Sequence, residues 1–285
     1  MNLDLIGLHR LIERSLNEDI GTGDLTTNSI VPIKAVSTGY ILAKEAGVIA
    51  GMPVAEMVFR YLDPEVQLLA RAEDGEWVEP GRLLMEVRGS ARAILSGERL
   101  ALNFLQHLSG IATRTAQLVR LVGGNKPAII DTRKTTPGLR VLEKYAVRVG
   151  GGNNHRFGLY DAVLIKDNHI KIAGGIAKAV AMARRGSPHT SKIEVEVESL
   201  AGVKEALEAG ADIIMLDNMN LVMMQEAVAL VSGRALVEAS GGITEKSIQA
   251  VAAAGVDLIS VGALTHSVKS LDISLDLEAI KHKLN

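Results

Sequence analysis

The chain contains no cysteine. That absence excludes disulfide staples, thiolate nucleophiles, iron–sulfur clusters and cysteine-ligated zinc. Aromatic residues are scarce, 3 % of 285 positions, whereas hydrophobic residues reach 47 %. A core of that size has to be built from Ala, Val, Ile, Leu and Gly, a mixture that favours α/β layering. The formal net charge is only −2, so neither a nucleic-acid surface nor an acidic tail is indicated, and any cationic function must be local. No uncharged run approaches membrane-spanning length. Residues Met1 to Arg10 lack the basic segment and apolar run of a secretory signal. These absences lead to the expectation of a cytoplasmic protein with neither nucleic acid nor membrane as partner. The length suits one large domain or two smaller ones.

What is present falls into two stretches. In the first, Asp4–Glu18 spaces Leu5, Leu8, Leu11, Ile12 and Leu16 as an amphipathic helix. A polar, glycine-broken loop follows from Glu18 to Thr27. Gly39–Ile49 and Val66–Arg71 read as strands around a Met52–Leu62 helix. In Asp74–Val87, turn residues bracket alternating apolar positions, a β-hairpin pattern. It resembles the hammerhead hairpin of biotinyl and lipoyl carrier domains, but those display a modifiable lysine at the turn and this stretch has none. The hairpin is therefore read as scaffold. Ala91–Val122 forms a long helix carrying Arg99, His107 and Arg114, and Gly123 to Pro127 ends it at a domain junction.

The second stretch alternates regularly. Apolar strands at Ala128–Ile130, Ala162–Ile165, Ile193–Val197, Ile213–Leu216, Ala235–Val237 and Leu258–Val261 are separated by helical patterns at Pro137–Val149, Ile170–Arg185, Leu200–Ala209, Leu221–Val231 and Glu245–Ala254. Repeated βα units imply a parallel sheet, either a barrel or a doubly wound sheet. No GxGxxG opens the first unit, which disfavours a dinucleotide-binding fold. Leu271–Leu284 reads as a terminal helix.

In a parallel α/β barrel, chemistry sits at the carboxyl ends of the strands. There the sequence places Asp131, Thr132, Arg133 and Lys134; Lys166 to His169; Glu196 and Glu198; Asp217 and Asn218; Glu238 and Ser240–Gly242; and Gly262–Ala263. The adjacent Arg133–Lys134 pair implies an anionic ligand. Ser240-Gly241-Gly242 and Val261-Gly262-Ala263 each precede a helix, presenting bare N–H groups to a phosphate. Gly150 to Arg156 adds three glycines and two further potential cations, His155 and Arg156. Glu196 and Asp217, on neighbouring strands, can hold sugar hydroxyls or Mg²⁺ bridging a polyphosphate.

The runs Asp131–Arg140, Gly150–Arg156, Leu164–His169, Glu194–Glu198 and Ser240–Gly242 resemble those of the quinolinate phosphoribosyltransferases, and the likeness extends from Glu18 to His266. The resemblance implies an α/β fold: an N-terminal α/β sandwich (1–110), an incomplete parallel α/β barrel (111–268) and a C-terminal helix (269–285) returning to the first domain. It implies phosphoribosyl transfer from phosphoribosyl pyrophosphate to quinolinate with decarboxylation, with Mg²⁺ as cofactor, in a homodimer or multiple of dimers. By resemblance, Thr132, Arg133, His155, Arg156 and Lys166 hold quinolinate, joined by Arg99 from the partner subunit. Lys134 contacts the pyrophosphate end. Glu196 and Asp217 address the ribose and Mg²⁺, directly or through water. Ser240, Gly241 and Gly242 with Val261, Gly262 and Ala263 hold the 5′-phosphate.

Such a cationic pocket suits two polyanions that must be desolvated side by side. Once ribosylated, the pyridine nitrogen is itself an electron sink for loss of the 2-carboxylate, so decarboxylation requires no further cofactor. Two alternatives remain at this point. One is a paralogue of the same fold with a different acceptor. The other is a non-catalytic carrier or phosphate-sensing module, which leaves the strand-end cations and acids without a task.

Overall fold

The computed structural model describes residues 5–123 and 127–278. The chain divides into two compact units: residues 1–114, 136–150 and 267–285 form the first, and 115–135 with 151–266 form the second. Residues 124–126 of the expected junction, and residues 279–284 of the expected terminal helix, lie outside the described residues.

The first unit begins with helices α1 (Leu5–Ile20) and α2 (Leu25–Ile30), continues through strands β1 (Val36–Ala43) and β2 (Gly47–Val48), helix α3 (Met52–Leu62) and strands β3 (Gln67–Ala70), β4 (Trp77–Val78) and β5 (Leu83–Ser90), and enters the long helix α4 (Ala91–Val122). Residue burial alternates along β1, so the sheet hides one face and wets the other. Ile41, Leu84, Met85, Phe59, Ile94 and Leu105 are fully buried. Two hydroxyls of α4 satisfy main chain at the end of that core: Thr113 Oγ1 accepts from Val48 N at 2.8 Å and Ser109 Oγ from Ala50 N at 3.0 Å.

Three expectations are corrected here. Asp74–Val87 is not a hairpin. β4 pairs with β2, whereas β5 pairs with β1 and β3. The Glu79–Arg82 turn, in which Gly81 takes φ +88°, passes the chain from one sheet to the other. The Gly39–Ile49 strand is two strands. The terminal segment is no helix over its described part: β12 (Ile273–Leu277) is a strand that pairs antiparallel with β1 at the sheet edge. Buried Ile273 and Leu275 alternate with Ser274 and Asp276, a period of two that suits a half-buried strand.

The second unit carries β6 (Ala128–Ile130), β7 (Val163–Ile165), β8 (Ile193–Val197), β9 (Ile213–Asp217), β10 (Leu236–Ser240) and β11 (Leu258–Ser260). Helix α5 (Arg140–Val149) follows β6 in sequence and belongs to the first unit. Helices α6 (Asp167–Ala173), α7 (Ile176–Gly186), α8 (Leu200–Glu208), α9 (Leu221–Val231), α10 (Glu245–Ala253) and α11 (Ala263–His266) intervene after the others. The expected Ile170–Arg185 helix is broken at Gly174 and Gly175, both at positive φ. All pairings are parallel, in the order β6-β11-β10-β9-β8-β7. β6 and β7 do not pair, so the barrel stays open. The free edge of β6 is covered by Asn153, whose N donates to Ile129 O at 2.8 Å and whose O accepts from Asp131 N at 3.2 Å, which protects an otherwise unpaired strand.

Candidate active site

Parallel register stacks the inward-facing side chains of the barrel in levels. Asp217 lies beside Ser240 at the rim, and Glu196, Met215 and Glu238 share the next level down. Glu194, two residues before Glu196, lies one level deeper. Above these levels opens a cavity of about 500 Å³ lined by Thr132, Arg133, Lys134, His155, Arg156, Leu164, Lys166, Glu196, Met215, Asp217, Asn218, Glu238, Ser240, Gly241, Gly242 and Ser260. A larger hollow of about 920 Å³ lies along the sheet of the first unit, and among the described residues its lining includes one cation, Arg88, with the acids Glu86 and Glu278.

The sequence places most of the cavity's polar residues. Val261, Gly262 and Ala263 stand outside its lining and support it. Val261 N donates to Ile130 O at 3.0 Å. Gly262 lets the Lys134 stem pass where a Cβ would sit 3.0 Å from Lys134 Cδ. Thr265 Oγ1 then donates to Lys134 O at 2.8 Å. Arg99 is exposed on α4, in the first unit. Leu164, Met215, Asn218, Glu238 and Ser260 are cavity residues that strand-end reasoning did not select for binding.

Gly241 is dictated by geometry. It takes φ +91°, and a Cβ there would lie 2.2 Å from Asn218 Oδ1 and 2.9 Å from Asn218 N. Asn218, itself left-handed at φ 53°, donates its N–H to Ser240 O at 3.0 Å and its side-chain amide to Asp217 at 2.9 Å. The turn after β9 thus packs directly against the turn after β10.

Several strand-end groups are architectural. Asp131 is fully buried. Its carboxylate accepts from Asn154 Nδ2 at 2.6 Å and from His155 N at 2.8 Å, pinning the glycine-rich loop to the end of β6. His169 Nδ1 accepts from Lys166 N at 2.9 Å and caps α6. Asp161 accepts from Phe157 N and Gly158 N at 2.7 and 2.9 Å, shaping the turn after Arg156. Burial opposes its charge, but those N–H groups and Arg156 hold its pKa below the usual carboxylate range.

The electrostatics are tightly opposed. Lys166 Nζ lies 2.5 Å from Glu196 Oε2. Arg156 Nη1 donates to Ala162 O at 3.1 Å, while its Nε is buried without a partner. Burial, then the nearby Arg133, lowers the Arg156 pKa. A buried guanidinium N–H without a partner, beside a second guanidinium, is an energetic cost that the fold carries here. Beneath them, His155 Nε2 meets Glu194 Oε2 at 3.0 Å and lies 3.9 Å from Glu238. Both acids are buried, and one oxygen of each lacks a hydrogen-bond partner. Burial first, then Glu194, pushes the Glu238 pKa well up.

Comparison with known proteins agrees with this architecture. Residues 24–109 match the family model described as quinolinate phosphoribosyl transferase, N-terminal domain, and residues 111–276 match that of the C-terminal domain. The chain is 48 % identical to the probable carboxylating nicotinate-nucleotide pyrophosphorylase of Bacillus subtilis, over 95 % of this chain and 93 % of the relative. It is 42 % identical to the chloroplastic carboxylating nicotinate-nucleotide pyrophosphorylase of Arabidopsis thaliana, over 95 % of this chain and 83 % of that one. Superposed on the crystal structure of NadC from Streptococcus pyogenes, it gives a TM-score of 0.94 at 46 % identity, covering 98 % of this chain and 99 % of the other. An open barrel with cations crowded over buried acids, matched along both units, places the chain in the quinolinate phosphoribosyl transferase family.

Proposed function

We propose that this enzyme transfers the phosphoribosyl group of phosphoribosyl pyrophosphate to quinolinate and releases pyrophosphate and CO₂, leaving nicotinate mononucleotide. The observation that carries the reading is the unmatched Arg156 Nε beside Arg133 in the cavity wall. Guanidinium forks suit planar carboxylates, and quinolinate brings two. Thr132 and Lys166 complete that side of the pocket. Arg99 is assigned to it from the partner subunit of a homodimer. Lys134, tethered through Thr265, faces the pyrophosphate. The Ser240–Gly242 turn, backed by Val261–Ala263, receives the 5′-phosphate on bare N–H groups.

Lys166 and Glu196 form an ion pair within the cavity. A quinolinate carboxylate competes for the lysine and the ribose hydroxyls compete for the glutamate, so binding exchanges one set of pairs for another. Displacement at the anomeric carbon builds positive charge on the sugar, which Glu196 and Asp217 are placed to stabilise. Transfer makes the pyridine nitrogen cationic. The bond from C2 to its carboxylate then breaks, CO₂ leaves, and the electron pair remains at C2 next to that nitrogen until a proton arrives.

Mg²⁺ belongs to the proposal as a water-retaining ion. Glu196 and Asp217 offer hard oxygen ligands, yet neither belongs to the one cluster of three metal-ligating side chains found among the described residues. An ion at these two acids must keep waters and substrate phosphates, as Mg²⁺ does. When bound, it supplies charge neutralisation at the leaving pyrophosphate.

The test is turnover with quinolinate, phosphoribosyl pyrophosphate and Mg²⁺. Stoichiometric CO₂ and pyrophosphate are expected. Equal use of nicotinate without CO₂ release would overturn the acceptor assignment. Loss of pyrophosphate release after chelation, restored by added Mg²⁺, checks the ion.

A further inference from the structure

His155 lines the cavity, but both ring nitrogens are committed within the protein. Its Nδ1 accepts the Arg156 main-chain N–H at 2.6 Å, so the ring proton belongs on Nε2, which faces Glu194 Oε2 at 3.0 Å. The same residue's main-chain N–H is held by Asp131 at 2.8 Å. The residue before Arg156 is therefore clamped twice, at its main-chain N–H by Asp131 and at its imidazole by Glu194. What the clamp presents is the guanidinium with the unmatched, buried Nε.

We propose that Glu194 is a positioning residue for quinolinate: by fixing the tautomer and ring plane of His155 it sets the main chain that aims Arg156 at a substrate carboxylate. The inference rests on the quinolinate reading above. It also gives Glu238 a lesser part, because Glu238 lies 3.9 Å from the same imidazole nitrogen, beyond hydrogen-bond reach. A glutamine has one acceptor oxygen and two donor hydrogens. At position 194 only one of its two orientations keeps an acceptor toward the imidazole N–H. At position 238 it alters a group 3.9 Å from that nitrogen, which does not hold the ring. Equivalent substitutions in two neighbouring acids should therefore differ, and differ for one substrate.

The experiment compares Glu194→Gln and Glu238→Gln with the unaltered enzyme by calorimetric titration of quinolinate, by the KM for phosphoribosyl pyrophosphate, and by ¹⁵N imidazole shifts of His155. Glu194→Gln should weaken quinolinate by about tenfold or more, several times the effect of Glu238→Gln. Its KM for phosphoribosyl pyrophosphate should change by less than about threefold, because the clamp does not reach the phosphate turns. In the unaltered enzyme His155 should show an unprotonated Nδ1. Equal effects of the two substitutions, equal loss of both substrates, or a protonated Nδ1 would each overturn the inference. The nitrogen signature decides it even where Glu194→Gln does not fold. Failure of the unaltered enzyme to bind quinolinate would instead overturn the underlying functional reading.

Discussion

Replacing Gly241 with alanine gives the sharpest geometric test of the phosphate turn. Two penalties combine. An L-residue at φ +91° bears roughly 1–2 kcal/mol of backbone strain. The new Cβ also lands on Asn218, 2.2 Å from Oδ1, 2.5 Å from Cγ and 2.9 Å from the main-chain N. The side-chain end can swing away, at the loss of its 2.9 Å bond to Asp217. The main-chain N cannot, because it donates to Ser240 O at 3.0 Å within the turn itself. Overpacking of this kind costs about 1–3 kcal/mol. The sum, roughly 2–5 kcal/mol, has to appear as a displaced turn, a lower melting temperature, or both. If the turn alone absorbs it, affinity for phosphoribosyl pyrophosphate falls about thirtyfold or more. Gly242 is the internal control: it too has positive φ, +58°, but a Cβ there meets nothing within 4 Å, so Gly242→Ala should incur only the strain. Steady-state KM values for both substrates and thermal unfolding of the two variants decide the matter. If Gly241→Ala and Gly242→Ala behaved alike, or if Gly241→Ala weakened quinolinate as much as the phosphoribosyl donor, the assignment of this turn would be refuted.

Three further outcomes are expected. Lys134→Ala should slow turnover with phosphoribosyl pyrophosphate far more than it weakens quinolinate binding; equal losses in single-turnover and binding measurements would remove it from the pyrophosphate. Arg99→Ala mixed with a variant inactivated in the barrel site should regain some activity in hybrid dimers, and no recovery in verified hybrids would make Arg99 a same-chain or structural residue. Glu238 keeps in the folded state a proton that an unfolded glutamate releases near 4.5. Its contribution to stability is therefore fully present below that pH and is lost as pH rises through the raised folded value. Glu238→Gln should flatten the alkaline decline of the melting temperature, and an unchanged slope would show that the acid is not the group titrating.

The parallel-strand runs were legible in the sequence because strands of a parallel sheet are mostly apolar, and Arg133, Lys134 and Lys166 were legible because they stand just beyond those runs. What escaped was decided by period and by depth. Ile273 and Leu275 repeat at two residues, which a helical reading of Leu271–Leu284 passed over. The Trp77–Val87 segment has hairpin chemistry, yet its strands pair with β2 and with β1 and β3, contacts that no local pattern encodes. Asp131 looked functional at its strand end and is an anchor. Glu194 carried the one available signal: in Glu194-Val195-Glu196-Val197-Glu198 the acids alternate, so Glu194 faces the same interior as Glu196. An acid two levels below the rim has no water to solvate it, and its presence there already demands a partner.

That demand explains how a nearly neutral chain builds a site for two polyanions. Arg133, Lys134, Arg156 and Lys166 do not stand against solvent alone; Asp131, Glu194, Glu196 and Asp217 line or underlie the same cavity. Were all of these pairs as close as Lys166 and Glu196, the pocket would attract no anion. The acids are instead placed unequally. Asp131 accepts from N–H groups of the glycine-rich loop, Glu194 faces an imidazole, and burial and Glu194 push the Glu238 pKa well up. Lys166 and Glu196 form a close ion pair within the cavity. The guanidinium of Arg156 also has acids near it, Glu194 and Asp161, yet its Nε has no hydrogen-bond partner. What sets it apart from Lys166 is therefore an unused donor rather than an unanswered charge.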